Sequence, residues 1–334
     1  MTDSLIVYAG SRSHALEGLQ SISSILPYHL CATGSYFERY CLSKGLKFAS
    51  YGSSLDLHNK LSEIIQDFAA GEKIVLISSG VEFKIKVNNY PSITFLNIHP
   101  SLLPSLKGRD PAIGALVKEL PTGVSVHLMD ENFDSGTLLW QSDKLEIPKE
   151  FDIRDLYAIS FCHEYLAGCW ISNNLSNLIE LTDIPDPQIE HVSIGNPVSS
   201  SYFSRAPDYS IYQENWTNSE LLRQIRACAL NNFGLKVTLT QPDKQGKNSP
   251  NQQIVSIHLM AAQLIQRDQD VKDLVDKFSS KLCGAPNSFE LIYWLENKAL
   301  FIRNGQLLSC TVKETGFFSI HSSDYAQYVK EISE

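Results

Sequence analysis

At 334 residues with 43% hydrophobic content, the chain is long enough for two domains with ordinary cores, which excludes a disordered or fibrous protein. Net charge is −9, with 14 Lys and Arg against 23 Asp and Glu over residues 1–200 and 14 against 14 over 201–334. A protein that binds nucleic acid by neutralising phosphates carries a basic stripe, and neither half does, so the charge weighs against that class.

No apolar run approaches the roughly 20 residues that a membrane helix needs. The polar start Met1-Thr2-Asp3-Ser4 does not read as a signal peptide. Seven scattered cysteines without a Cys-x-x-Cys pair read as free thiols, which points to the cytoplasm.

Leu5 to Ala9 is an apolar run of strand length closed by Gly10, and positions 15, 18, 22 and 25 then keep helical spacing as far as Ile25. Leu57, Leu61, Ile64, Ile65 and Phe68 predict a helix over Leu55–Ala69, followed by buried strands at Lys73–Ser78 and Ile93–Ile98. Alternating strands and helices, several strands being uniformly apolar, indicate an α/β fold. The expectation is a Rossmann-like, mainly parallel sheet with helices on both faces. Pro111 suits the first turn of a helix running to about Leu120. Val124–Leu128 alternates as a strand with one wetter face. Asp152 is an N-cap for a long helix from Ile153.

This first domain is drawn over residues 1–180. Thr182 to Ser201, with three prolines and a run of serines, reads as a linker, drawn over 181–203. The remainder, 204–334, has a helix over Leu221–Leu230 and short strand-like runs at Val237–Thr240, Ile254–Met260, Phe289–Leu295, Leu300–Arg303 and Leu307–Val312. Gln241–Gln253 reads as an exposed loop. One helix and several short strands predict a smaller C-terminal domain with a small β-barrel-like unit.

The chemistry concentrates at Asn97-Ile98-His99-Pro100-Ser101-Leu102-Leu103-Pro104 and at Asp134, in Met129-Asp130-Glu131-Asn132-Phe133-Asp134-Ser135-Gly136. Asn97 and His99 alternate at the end of a buried strand, so their side chains share one face. An amide, an imidazole and a carboxylate supply an oxyanion donor, a proton carrier and a group that orients the carrier, the set needed to move an acyl group onto an amine. A lone histidine at a strand end is more often a structural hydrogen-bonding group, and Asp134 before Ser135-Gly136 also suits a plain turn. The residues alone leave both readings open.

The string 97–104 resembles the signature of the folate-dependent formyltransferases. Gly108, Pro111, Thr122-Gly123-Val124, Met129-Asp130 and Asp134-x-Gly136 keep that family's order and nearly its spacing. Ser79-Gly80-Val81-Glu82-Phe83 falls where the family has a glycine-containing loop beside its folate pocket. The likeness is strong over about 74–142 and loose over 1–73. It continues weakly into Ser204-Arg205-Ala206-Pro207 and Ile225-Arg226-Ala227, which resemble the C-terminal domain of methionyl-tRNA and sugar-amine formyltransferases.

The resemblance implies 10-formyltetrahydrofolate as co-substrate, with Asn97, His99 and Asp134 catalytic. It also implies that Val81, Phe83, Met129, Asp130 and Glu131 line the folate pocket, much of it through backbone groups. No metal is implied, and the nine histidines show no ligand-like spacing. Gly10-Ser11-Arg12-Ser13 could hold a substrate anion, as the matching loop does in the glycinamide ribonucleotide branch, or be a plain turn capped by Ser13. Arg109-Asp110 reads either as an ion pair or as an acceptor contact.

Residues 26–54 lack the basic Gly- and Arg-containing insertion that methionyl-tRNA enzymes usually carry. The expected acceptor is therefore a small-molecule amine, a nucleotide-linked amino sugar or an amino-acid-derived compound, and transfer RNA is not expected. The alternatives are a methionyl-tRNA formyltransferase and a 10-formyltetrahydrofolate hydrolase. The hydrolase usually carries a regulatory domain ahead of the catalytic one, and here only four residues precede the first strand. The absence of Gly-x-Gly-x-x-Gly after the first strand argues against a dinucleotide-binding oxidoreductase. No membrane partner is expected. The oligomeric state stays open, a homodimer among the options.

Overall fold

The computed structural model describes residues 4–67, 73–181, 215–228, 235–241, 253–264, 290–295, 298–304 and 306–314. The chain divides into two compact units. One comprises Met1–Ala115, Leu120–Pro148 and Asp155–Ser204, and the other Leu116–Glu119, Lys149–Arg154 and Arg205–Glu334.

The first unit is α/β. Its strands are β1 (Leu5–Gly10), β2 (Tyr28–Ala32), β3 (Phe48–Tyr51), β4 (Ile74–Ser79), β5 (Ile93–His99), β6 (Ser125–Leu128) and β7 (Leu138–Gln141). They lie in the order β3-β2-β1-β4-β5-β6-β7, with β1 to β5 parallel and β6 and β7 antiparallel. The mainly parallel sheet expected from sequence is present, with a mixed edge. The order reverses between β1 and β4, so their C-terminal ends flank the crevice where open α/β sheets place ligands.

Alternation sends successive strand residues to opposite faces. Ile6, Tyr8, Val75, Ile77, Leu96 and Ile98 pack with Leu16 and Leu19 of α1 (His14–Ile22), Phe37 and Cys41 of α2 (Tyr36–Lys44), and Ala167 and Ile171 of α5 (Ile153–Glu180). Val7, Ala9, Leu76, Ile93 and Phe95 pack on the other face with Leu57, Leu61 and Ile64 of α3 (Ser54–Asp67). Another helix, α4, runs over Pro111–Lys118 and stops where Glu119 takes φ 53. Helix α5 starts as read from sequence, since the Asp152 carboxylate accepts the Arg154 backbone N–H at 2.7 Å.

Helices α1 and α5 cross backbone against backbone. A Cβ on Gly18 would lie 1.9 Å from the Tyr165 carbonyl oxygen, and one on Gly168 would lie 1.9 Å from that of Ala15. Helix α1 ends at Ile22, short of the expected Ile25. Ser23 is extended there, and its hydroxyl donates to the Leu19 carbonyl at 2.9 Å. The elements β2, α2 and β3, within residues 26–54, and strand β7 have no counterpart in the sequence reading.

In the second unit, α6 (Asn218–Cys228) opens on a capping box. The Thr217 hydroxyl accepts the Glu220 N–H at 3.2 Å, and the Glu220 carboxylate accepts the Thr217 N–H at 2.7 Å. Leu221 and Ile225, four apart on one face, pack with Leu235, Leu259, Phe301 and Leu308. Strands β8 (Leu235–Gln241), β9 (Gln253–Leu264), β10 (Glu290–Leu295), β11 (Lys298–Arg303) and β12 (Gln306–Glu314) form an antiparallel sheet in the order β10-β11-β12-β9-β8. Among the described residues the edge strands β8 and β10 are not paired with each other. Residues 182–203 of the expected linker, Ser204-Arg205-Ala206-Pro207 and residues 242–252 of the expected loop lie outside the described residues.

Among the described residues no helix is long and apolar enough to cross a membrane. No group of three or more His, Cys, Asp and Glu among them could hold a metal ion. The six described cysteines are free.

Candidate active site

Leu96 and Ile98 of β5 enter the core on the α1 and α5 side, which leaves Asn97 and His99 on the opposite side at the strand's C-terminal end. Antiparallel β6 pairs Asn97 with His127 and His99 with Ser125. Cross-strand partners on one face are close enough to touch. The chain then returns towards β7 through a turn that carries Asp134 at φ 52, a left-handed conformation that Asp tolerates. The glycine two residues later is obligatory, because a Cβ on Gly136 would lie 1.8 Å from the Leu128 carbonyl oxygen.

These elements bring together the three residues singled out in the sequence. Asp134 Oδ1 lies 3.4 Å from His99 Nδ1 and accepts from Asn97 Nδ2, also at 3.4 Å. Asp134 Oδ2 accepts the Gly108 backbone N–H at 2.7 Å. The sequence reading missed a fourth member, His127. Its Nε2 lies 3.1 Å from Asn97 Nδ2 and 3.7 Å from Asp134 Oδ1. The β5–β6 register was the signal that could have found it, since a histidine opposite Asn97 must share its face.

The partners assign the tautomers. His99 Nε2 is 3.0 Å from the Leu106 carbonyl, which can only accept, so Nε2 carries the hydrogen and Nδ1 keeps its lone pair. His127 Nδ1 donates to the Leu128 carbonyl at 2.7 Å, which leaves Nε2 to accept from Asn97. Burial pushes the His99 imidazole below its ordinary value, opposed by the Asp134 carboxylate. Burial alone would push Asp134 up. His127, His99 and the Gly108 N–H outweigh it and hold the carboxyl below the usual range.

The loop after β5 is stitched to β6 and β7. The Ser125 hydroxyl donates to the Ser101 carbonyl at 2.7 Å and accepts the Leu103 N–H at 3.0 Å. Gln141 Nε2 donates to the Leu103 carbonyl at 2.9 Å. The Leu103–Pro104 peptide is cis, and Leu106 takes φ 54 as its carbonyl turns towards His99. Ser125 and Gln141 were not read from sequence, because a buried polar residue on an antiparallel edge has no periodic signature.

Val81, Phe83 and Met129 are half-buried side chains, each packed against the core cluster on the α3 side. Asp130 closes its own turn, accepting from the Asn132 N–H at 2.8 Å and the Ser135 hydroxyl at 2.7 Å. Glu131 accepts the Asn88 N–H at 3.1 Å and so ties the two loops together. Arg109 is exposed and pairs with Glu82 at 3.0 Å, not with Asp110.

In the loop after β1, the Ser11 hydroxyl donates to the Gly80 carbonyl at 2.9 Å, and the Ser13 hydroxyl donates to Glu17 at 2.9 Å instead of capping α1. Arg12 Nη1 lies 2.9 Å from the fully buried Glu164, as an ion pair without hydrogen-bond alignment. Burial pushes the Glu164 carboxyl up, opposed by Arg12 and Ser79. Arg12 Nε has no hydrogen-bond partner among the described residues. In the second unit, Arg226 donates to the backbone carbonyls of Lys149 and Phe151.

Residues 45–160 match the family model described as formyl transferase. The matched stretch is 116 of the 334 residues. It holds Asn97, His99, His127 and Asp134. A GDP-perosamine N-formyltransferase of Brucella melitensis is 31% identical over 134 residues, covering 40% of this chain and 47% of that protein. A methionyl-tRNA formyltransferase of Ehrlichia ruminantium is 30% identical over 155 residues, 46% of each chain. The chain thus spans about half the length of the curated relatives it matches. The structure of an N-formyltransferase from Helicobacter canadensis, in complex with folinic acid and dTDP-3-aminofucose, superposes with TM-score 0.61 over 93% of this chain and all of the other. At 18% identity that likeness concerns the fold alone.

Proposed function

We propose that the protein transfers a formyl group from 10-formyltetrahydrofolate to the amine of a small acceptor, a nucleotide-linked amino sugar. The carrying observation is the convergence of Asn97, His99, His127 and Asp134 at one strand end. Val81, Phe83 and Met129, each half-buried, offer apolar surface of the kind that packs on a flat heteroaromatic ring, so the residues present fit a folate. The folate supplies the formyl carbon, and the chain supplies orientation and proton management.

As the amine attacks, charge develops on the formyl oxygen. Asn97 Nδ2 can donate to it by giving up the weak 3.4 Å contact with Asp134, while its other hydrogen stays on His127 and keeps the amide oriented. His99 Nδ1, held as a lone pair by the bond from Nε2 to Leu106, takes the proton of the attacking nitrogen and returns it to the departing folate nitrogen. The imidazolium formed in between presents its new N–H to Asp134, whose carboxylate favours that charge. Phosphates of the acceptor would meet Arg12, with Ser11 and Ser13 beside it.

The likeness to the Ehrlichia methionyl-tRNA formyltransferase supports a second reading, with transfer RNA as acceptor. Calorimetry with 5-formyltetrahydrofolate, followed by transfer assays from 10-formyltetrahydrofolate to amino sugars linked to GDP or dTDP and to methionyl-tRNA, separates the two. Micromolar folate binding and transfer to a nucleotide sugar are expected. Any transfer RNA association should vanish between about 50 and 200 mM salt. Preferential formylation of methionyl-tRNA would overturn the acceptor, and absence of folate binding would overturn the reaction.

A further inference from the structure

Four rings stand in file across the first unit, outside the catalytic group. Tyr36, at the start of α2, lies parallel to His14, with centroids 5.6 Å apart and planes 3° apart. His14 lies on Phe161 of α5 at 4.1 Å and 7°, and Phe161 on Tyr157 at 6.3 Å and 27°. The end ring, Tyr36, is 50% exposed. His14 Nδ1 is buried with no hydrogen-bond partner among the described residues, and burial pushes this imidazole below its ordinary value. His14 thus acts as a neutral ring held by stacking.

The file adjoins the loop after β1. The Phe37 N–H donates to the Ser11 carbonyl at 3.0 Å, which ties the start of α2 to the residue before Arg12, whose buried Nε has no partner among the described residues. Gly10 pairs with Ser79, and Ser79 with Ile98. The ends of β1 and β5 are therefore two strand spacings apart, about 10 Å. One diphosphate and one hexose bridge that gap.

We propose that the exposed face of Tyr36 extends this file with the nucleobase of the acceptor. The diphosphate then passes over Arg12, and the amino sugar reaches Asn97, His99 and Asp134. The inference rests on the nucleotide-linked acceptor proposed above. An aromatic ring takes any base, so the platform adds affinity for nucleotides over bare diphosphate and leaves the choice of base to other contacts.

The test is calorimetry on the full chain with UDP, dTDP, GDP and inorganic pyrophosphate, with 5-formyltetrahydrofolate as a check on folding. Wild type should bind the nucleotides more tightly than pyrophosphate. Tyr36→Ala should weaken the nucleotides about tenfold and leave pyrophosphate and folate unchanged, and Tyr36→Phe should restore wild-type values. Equal nucleotide binding by wild type and Tyr36→Ala would overturn the platform and leave the proposed function standing. Folate binding without any nucleotide binding would overturn both the platform and the nucleotide-linked acceptor, leaving formyl transfer to another amine.

Discussion

Two buried carboxylates sit near the C-terminal edge of the same sheet, and their surroundings are opposite. Glu164 faces one permanent cation, Arg12, at 2.9 Å, and burial still pushes its carboxyl up. Asp134 faces two titratable rings and an amide at 3.4 to 3.7 Å plus one backbone N–H at 2.7 Å, and its carboxyl is held down. The several loose partners of Asp134 can be exchanged one at a time as charge moves, whereas Glu164, with one cation at 2.9 Å and the Ser79 hydroxyl at 3.3 Å, cannot lose Arg12 without stranding a charge. The first arrangement suits a reaction and the second suits an anchor.

The anchor should show the largest effect. Glu164→Ala leaves Arg12 without its counter-charge, and breaking a buried pair in this way costs about 3–5 kcal/mol. Urea unfolding reads the loss, and a change under about 1 kcal/mol would remove the distinction between the two carboxylates.

At Asp134, proposed above to act in the reaction, the signature should invert. Asp134→Ala and His99→Ala should each lower single-turnover rates roughly 100-fold, about 2.7 kcal/mol, with a smaller loss of stability than Glu164→Ala. Near-normal turnover in either variant, measured with an acceptor that wild type uses, would show that the group only holds a turn.

The pH profile should move least and sharpen the comparison most. Because His99 is pushed below the ordinary imidazole value of about 6.5, kcat/KM should fall on the acid side with a midpoint under that value as Nδ1 gains its proton. Asp134 opposes the downward push, so Asp134→Asn should lower the midpoint further. The unfolded chain binds this proton more readily than the folded one, so stability should decline over the same window as pH falls. A midpoint above 6.5 in wild type, or an upward move in Asp134→Asn, would contradict the charge arrangement.

Most of the first unit was legible because β1, β4, β5 and α3 are uniformly apolar or strictly periodic. The missed elements carry weak signals for identifiable reasons. Strand β2 contains His29, buried by a bond from its ring to the Lys47 carbonyl at 2.8 Å, and β3 has only four residues. Helix α2 buries only Phe37 and Cys41 among nine residues, too few to mark a face. At the site, Asn97, His99 and Asp134 stood out through motif order. His127, Ser125 and Gln141 depend on strand register, which no local pattern encodes. The pairing of Arg12 with Glu164 joins a loop to the middle of a helix 152 positions away, and only the packed fold brings them together.

The crossing of α1 and α5 has a mechanical consequence. Gly18 and Gly168 form a fulcrum, with His14 and Arg12 at one arm's end and Glu164 and Phe161 along the other. A single methyl group wedged at the pivot would tilt both arms, opening the ion pair and the ring file together. The alignment of these distant groups is thus set by two hydrogen atoms, one on each glycine.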